Sequence, residues 1–123
     1  MEIKVQNLTK YFKENLAVDN VSFKIENGQT VGLLGPNGCG KTTSIGMILG
    51  LIKPSKGEVL IDNKDINKTD KYEILSKINF ASPYIELPKK LTVRENLEVY
   101  ARLYGISDFD LRIKEISEDL NIN

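Results

Sequence analysis

Residues 35–42 read GPNGCGKT. They match the pattern G-x-x-x-x-G-K-[ST], in which glycines let successive backbone N–H groups turn toward one bound anion. A nearly continuous apolar run at 30–34 precedes the motif, and apolar residues at helical spacing follow it. A strand, a glycine-rich loop and a helix in this order predict a phosphate-binding loop, because the N-terminus of the helix adds positive potential to the site.

Two side chains of the motif predict how a nucleotide would be held. Lys41 would reach the β- and γ-phosphates, and the Thr42 hydroxyl would ligate Mg²⁺, a hard cation that prefers oxygen ligands. The alternative, which has no binding function, is a glycine-rich turn followed by a solvated lysine.

The composition excludes several other chemistries. The 123 residues include 17 basic and 17 acidic side chains, and this zero formal net charge argues against a nucleic-acid-binding domain. The chain has no histidine, which excludes Ser-His and Cys-His catalysis and any zinc site that needs an imidazole. Cys39 is the single cysteine, so no internal disulfide forms, and a free thiol is consistent with a reducing cytoplasm.

Apolar periodicity predicts an α/β arrangement around the loop. The segment at 30–34 reads as a strand buried on both faces of a parallel sheet. A capping box at Thr92 and Glu95 opens a helix that Gly105 ends. The other predicted elements are strands near 3–8, 21–25, 58–61 and 78–81, turns at 13–15, 27–28 and 62–64, and helices over 41–51, 72–76 and 108–120.

These residues resemble the ATP-binding subunit of an ABC transporter, over essentially the whole chain but only the first part of such a subunit. Residues 33–43 resemble the Walker A segment of the family, 50–57 resemble the stretch that follows it, and 91–97 resemble the entry to the helical subdomain. The context at 83–88 is similar to the branch whose partners are ABC-2-type export permeases.

The resemblance implies a P-loop NTPase fold, namely a truncated ABC-type nucleotide-binding domain with N-terminal antiparallel strands and the start of a RecA-like core and helical subdomain. The chain would then be a partial domain with four segments: the N-terminal strands at 1–34, the P-loop and its helix at 35–52, the core strands and Q-loop region at 53–90, and the start of the helical subdomain at 91–123.

The resemblance also implies roles for single residues. Tyr11 would stack on adenine, Val18 would pack near the ribose, and Thr43 would form a hydrogen bond with the α-phosphate. Tyr11 could instead be an ordinary packing residue, and Cys39 could be either a reactive thiol or a tolerated small residue. The expected ATP site has no catalytic residue, has Thr42 as its metal ligand, and comprises Tyr11, Val18, Asn37, Gly38, Cys39, Gly40, Lys41, Thr42 and Thr43.

The sequence departs from the family pattern in two ways. Ser82-Pro83 stands where the family usually has a glutamine that ligates Mg²⁺, and proline cannot ligate a metal. The chain also lacks a Leu-Ser-Gly-Gly-Gln-type signature, a Walker B Asp-Glu pair and a switch histidine. The simplest interpretation is a truncated protein or gene fragment, about half of a normal domain. This stretch would at most bind ATP weakly, whereas the complete protein would hydrolyse it.

The function implied by the resemblance is the coupling of ATP binding and hydrolysis to membrane transport, in the direction of export. The expected cofactors are ATP and Mg²⁺. The expected partners are a transmembrane permease subunit and a second nucleotide-binding domain, at the inner face of the cell membrane, with no nucleic acid. Two alternatives remain open: a non-transporting ABC-family ATPase, and a nucleotide-binding module without hydrolysis. P-loop kinases are less favoured, because three predicted strands precede the loop.

Overall fold

The computed structural model describes residues 1–82 and 86–121. The chain divides into two compact units, Met1–Ile78 and Asn79–Asn123. In chain order, the elements are β1 (Ile3–Phe12), β2 (Asn15–Ile25), α1 (Lys41–Ile48), β3 (Lys56–Ile61), β4 (Lys64–Asp65), α2 (Lys71–Leu75), α3 (Val93–Leu103) and α4 (Phe109–Asp119). Every helix among these residues is too short to cross a bilayer.

The first unit is built on an antiparallel sheet with strand order β2-β1-β3-β4. The predicted antiparallel strands at the N-terminus are confirmed, and they run further than predicted because β1 and β2 continue to a tight turn at Lys13 and Glu14. The predicted turn at 62–64 is also confirmed. Asp62 and Asn63 take left-handed φ values of 47° and 63°, which return the chain into β4.

One face of this sheet and the α1 helix enclose the core of the first unit. In β3 alternate residues, Val59 and Ile61, point to this face, whereas in β1 the core residues Val5 and Leu8 are three apart because a register shift lies between them. From α1, Met47 is fully buried against them. The buried core residues are Val5, Leu8, Val18, Met47, Val59, Ile61, Ile66 and Ile74.

Helix α1 ends at Ile48, three residues before the predicted end. Gly50 has a left-handed φ of 66°, and the Leu51 N–H donates back to the Gly46 carbonyl oxygen at 2.9 Å. This is the geometry of a glycine-terminated helix, in which a left-handed residue redirects the chain and satisfies the last carbonyls.

The predicted strands at 30–34 and 78–81 are absent, which corrects the sequence analysis. The turn at 27–28 is present, with the Gln29 N–H donating to the Glu26 carbonyl oxygen at 3.1 Å, but it leads into an extended segment without strand pairing. Val31 is 51% exposed and Leu34 is 92% exposed. A parallel strand needs a hydrogen-bonded neighbour, and none of the strands within residues 1–82 and 86–121 lies beside either segment.

The second unit contains α3 and α4. The predicted capping box is confirmed, because the Thr92 hydroxyl accepts from the Glu95 N–H at 3.2 Å and a Glu95 carboxylate oxygen accepts from the Thr92 N–H at 2.7 Å. The Thr92 backbone N–H, followed by its hydroxyl, lowers the pKa of the Glu95 carboxyl. Gly105, at φ 71°, follows α3, and α4 is one residue shorter at each end than predicted.

The exposed segment at 30–34 leads us to expect self-association, because its apolar side chains and unpaired backbone can be covered by another copy. Leu34→Ser should raise the dissociation constant of that association roughly tenfold, since burying one leucine contributes about 1.5 kcal/mol. Sedimentation velocity over a concentration series measures it. Leu103→Ser, at a leucine of α3 that is 74% exposed, is the matched control and should change little. An equal effect of both substitutions, or a chain that stays monomeric throughout, would contradict the expectation.

Candidate functional site

The glycine-rich loop leads directly into the N-terminus of α1. Gly40 is the N-cap residue, and no side chain caps the helix there. The first backbone N–H groups of a helix have no acceptor inside the helix, so they need one from elsewhere. An anion satisfies this need, and the helix dipole favours a negative charge at the same end.

The loop itself is curled. Gly35, Gly38 and Gly40 have φ values of 155°, 83° and 88°, which residues with a β-carbon rarely adopt. The Cys39 N–H donates to the Pro36 carbonyl oxygen at 3.3 Å, which closes a turn within the loop. The backbone therefore has the bent form that an anion-binding loop requires.

Gly40 is also fixed by its contact with β2. A β-carbon at this position would lie 2.3 Å from the Ala17 carbonyl oxygen and 2.9 Å from Val18 Cγ2, well inside van der Waals contact. Glycine is thus required both for its backbone angle and for the space beside the strand. This contact holds the end of the loop against the hairpin formed by β1 and β2.

The loop and β2 enclose open clefts. One, of about 290 Å³, is lined by Asn15, Leu16, Ala17, Asn37, Gly38, Gly40, Lys41, Thr42 and Thr43. The adjoining one, of about 470 Å³, is lined by Leu16, Ala17, Val18, Asp19, Val21, Leu33, Leu34, Gly38, Cys39, Lys41 and Ser44. There is therefore room for a polyphosphate beside the loop.

The Lys41 ammonium lies across the start of the loop. It donates to the carbonyl oxygens of Gly35 and Pro36, each at 2.7 Å, and its Nζ is 3.7 Å from the Cys39 sulfur. Both carbonyl acceptors are neutral, so the positive charge remains available to an anion that enters the cleft. A charged phosphate oxygen is a stronger acceptor than a neutral carbonyl, and a bound phosphate would compete for this ammonium.

Most of the predicted site residues come together at these clefts. Val18 and Cys39 line the larger cleft, although Val18 is a core residue that is only 4% exposed. The other six that line a cleft are Asn37, Gly38, Gly40, Lys41, Thr42 and Thr43.

Tyr11 is the predicted site residue that lines neither cleft. It is 42% exposed, its backbone N–H donates to the Ser55 hydroxyl at 3.0 Å, and it pairs across the hairpin with Leu16. Leu16 lines both clefts. Tyr11 thus lies one strand away from the cleft wall, and its role as the adenine platform stays a prediction.

The wall that β2 contributes was not predicted from the sequence. Asn15, Leu16 and Ala17 line the smaller cleft, and Phe12 pairs with Asn15 at the end of β1. Phe12 is 47% exposed, and the Lys10 ammonium lies 5.0 Å from the centre of its ring. No local signal in the sequence marks this wall, because the pairing of residues in one strand with those in another depends on cross-strand register.

The residues present are compatible with a magnesium–nucleotide complex. Among residues 1–82 and 86–121, no three acidic or cysteine side chains group as a metal site. Mg²⁺ commonly keeps several waters and takes further oxygens from one or two carboxylates and from substrate phosphates. The Thr42 hydroxyl is the oxygen that the loop offers at the smaller cleft, and its role as a metal ligand stays a prediction. Pro83, predicted at the position of the family's glutamine, lies outside the described residues, and a metal role for Ser82 stays a prediction.

Comparison with known proteins agrees with this geometry. The sequence profile of the family described as "ABC transporter" matches residues 18–123. An osmoprotectant import ATP-binding protein of Salmonella typhimurium is 38% identical over 96% of the chain and 32% of its own length. The SkfA peptide export ATP-binding protein of Bacillus subtilis is 37% identical over 98% of the chain and 50% of its own length. The chain thus spans between a third and a half of these relatives.

Solved structures show the same fold. A structure titled as the ATP-binding subunit of an ABC transporter superposes with a TM-score of 0.86 at 24% identity, covering 99% of this chain and 51% of that one. An ATP-binding cassette solved as a dimer in a post-hydrolysis state with ADP and Pi gives a TM-score of 0.71 at 36% identity, covering 83% of this chain and 47% of that one.

Gly40→Ala should destabilise the first unit for two reasons. Alanine rarely adopts this left-handed φ, and its β-carbon would clash with the Ala17 carbonyl oxygen. The free energy of unfolding should fall by about 2 kcal/mol or more, measured by urea denaturation. Gly32→Ala is the matched control, because nothing lies within 4 Å of its β-carbon position and its φ is not in the left-handed region. Its effect should stay within about 0.5 kcal/mol. Equal losses in the two variants would refute the role assigned to the Gly40 contact.

Proposed function

The chain belongs to the ABC transporter family, and from this premise we propose that it is the nucleotide-binding part of an ATP-binding subunit that couples ATP binding and hydrolysis to membrane transport. The observation that carries the proposal is the curled glycine-rich loop at the N-terminus of α1, beside a cleft of about 290 Å³ that Lys41 also lines. We further propose that the chain is a partial domain with segments at 1–34, 35–52, 53–90 and 91–123.

The phosphates of ATP bind along the loop. The backbone N–H groups of Gly38 and Gly40 and of the first turn of α1 donate to phosphate oxygens. The Lys41 ammonium gives up its hydrogen bonds to the carbonyl oxygens of Gly35 and Pro36 and donates to the β- and γ-phosphates instead. Thr43 forms a hydrogen bond with the α-phosphate. The Thr42 hydroxyl would be the ligand that this chain supplies to Mg²⁺, which would neutralise phosphate charge when bound.

The base and the ribose lie toward the β1–β2 hairpin. Tyr11 stacks on adenine, and Val18 packs near the ribose. This assignment is supported by the pairing of Tyr11 with Leu16, which lines both clefts. Stacking on a tyrosine recognises a flat ring rather than a pattern of hydrogen bonds, so the site discriminates only weakly between one purine and another.

ATP hydrolysis is the general activity of the family, and we assign it to the whole protein. This chain, which spans a third to a half of its relatives, at most binds ATP. A signature segment, a Walker B carboxylate pair and a switch histidine are the parts that hydrolysis requires, and they are absent from the sequence.

A membrane permease subunit and a second nucleotide-binding domain are the proposed partners, at the inner face of the cell membrane. The relatives are named for import as well as export, so the family supports transport in either direction. Export is the finer proposal, and it rests on the resemblance at 83–88, of which 86–88 are described. A non-transporting ATPase and a non-hydrolysing module are not favoured, because these relatives are named as ATP-binding proteins of import and export systems.

Lys41→Ala should weaken ATP binding between tenfold and a hundredfold, because a hydrogen bond to a charged group contributes roughly 1.5–3 kcal/mol. Isothermal titration calorimetry with ATP and Mg²⁺ measures the dissociation constant. Lys90→Ala removes the same charge from an exposed position in the second unit and should leave the affinity unchanged. If Lys41→Ala binds ATP as tightly as the unmodified chain, the phosphate site is not at this loop.

Tyr11→Ala should weaken ATP binding roughly tenfold, because stacking on a base contributes about 1–3 kcal/mol. The affinity for inorganic tripolyphosphate, which has no base, should stay the same. Phe12→Ala is the matched control at the neighbouring aromatic ring. If Phe12→Ala weakens ATP binding and Tyr11→Ala does not, the adenine platform is Phe12 and the assignment to Tyr11 is wrong.

A further inference from the structure

The hairpin that faces the loop is irregular. The pairing of β1 with β2 shifts register between Val5 and Leu8, between Leu8 and Lys10, and again between Lys10 and Tyr11. Asn7 and Asn20 take left-handed φ values of 49° and 46° within these strands. An interrupted ladder fixes the end of a hairpin less firmly than a continuous one, so other contacts must hold its position.

Thr9 supplies such a contact between the two strands. Its side chain is buried, and residue 9 is only 6% exposed. The Thr9 hydroxyl accepts from the Asn20 backbone N–H at 3.1 Å and donates to the Asn7 carbonyl oxygen at 3.3 Å. We call these two hydrogen bonds the Thr9 link. The bond from Asn20 joins β2 to β1 where the regular ladder is interrupted and gives the Asn20 N–H an acceptor, whereas the bond to Asn7 lies within β1 and orients the hydroxyl.

A second pair of hydrogen bonds lies beside the Thr9 link. The Asn7 backbone N–H donates to the Ser22 hydroxyl at 2.8 Å, and the Asn7 side-chain amide donates to the Asn20 side-chain oxygen at 3.0 Å. These bonds are exposed, whereas Thr9 is buried, so water can replace them more readily than it can replace the Thr9 hydroxyl.

The Thr9 link lies between the two parts of the proposed nucleotide site. Along β2, Asn20 is two residues from Val18. The Cγ2 atom of Val18 lies 2.9 Å from the position that a β-carbon on Gly40, at the end of the loop, would take. Along β1, Thr9 is two residues from Tyr11. One buried hydroxyl thus connects the strand that contacts the phosphate loop with the strand that carries the aromatic ring.

We infer that Thr9 is a positioning residue for nucleotide binding: its hydroxyl fixes the hairpin so that the purine-binding end stands at the correct distance from the phosphate-binding loop. The inference rests on the proposed function. Thr9 then gives the site its preference for a nucleoside triphosphate over a bare triphosphate. Only the nucleoside triphosphate must reach both the purine-binding end and the phosphate-binding end at once. Phosphate binding alone needs the loop and does not need the hairpin to be in register.

Thr9→Val tests this inference, because valine keeps the shape of threonine and removes the hydroxyl. Dissociation constants for ATP and for inorganic tripolyphosphate are measured by calorimetry on the same chain. The unmodified chain should bind ATP more tightly. Thr9→Val should lose roughly five- to tenfold in affinity for ATP, equivalent to about 1–1.4 kcal/mol, with the affinity for tripolyphosphate unchanged.

Two further variants separate positioning from general stability. Thr9→Ser keeps the hydroxyl and should restore the preference for ATP. Asn20→Gly keeps the backbone N–H and suits the left-handed φ, so it removes only the exposed side-chain bond and should leave the preference intact. A purely structural role for Thr9 would weaken the binding of both ligands by the same factor, in proportion to the unfolded fraction followed by circular dichroism, and this result would overturn the inference.

The outcomes also separate this inference from the proposed function. If the unmodified chain binds neither ligand, the proposed function fails. If it prefers ATP and a folded Thr9→Val shows the same preference, the function stands and the inference is wrong. Should Thr9→Val not fold, the same two titrations on Thr9→Ala, which also lacks the hydroxyl, decide the matter: a loss of affinity for ATP alone supports the inference, and an unchanged preference overturns it.

Discussion

The close approach of Gly40 to β2 is the constraint on which the rest of the site depends. The backbone at this residue must turn through a left-handed conformation and must pass a carbonyl oxygen and a methyl group with no room for a β-carbon. Both conditions select glycine. Once they are met, α1 begins at the next residue, its uncapped N–H groups stand beside the loop, and the loop lies against the hairpin.

The hairpin is therefore part of the site and not only a scaffold. Its β2 strand forms one wall of the cleft, and its β1 strand ends in two exposed aromatic rings, Tyr11 and Phe12. The pairing of the two strands shifts register three times, and the Thr9 hydroxyl accepts a hydrogen bond from the Asn20 N–H across them. In the proposed nucleotide site, the phosphate end depends on local backbone geometry, whereas the base end depends on how the two strands align.

The same distinction explains what could be predicted from the sequence. The loop, the start of α1, the capping box at Thr92 and the early antiparallel strands carry local signals, and each is confirmed. The strand predicted at 30–34 carries an equally clear apolar pattern, yet it does not form, because strand structure needs a neighbouring strand that a pattern cannot supply. The wall residues Leu16 and Ala17 were missed for a related reason, since the local periodicity of a sequence does not determine cross-strand register.

We propose that main-chain amides at the start of α1 bind the polyphosphate. Two-dimensional ¹H–¹⁵N NMR of the chain, titrated with inorganic tripolyphosphate, tests this binding because every backbone amide gives a separate signal. The amide signals of Gly38, Gly40, Lys41, Thr42 and Thr43 should shift most and saturate together. Signals that stay in place at these residues while others shift, or no saturable shift at all, would contradict it.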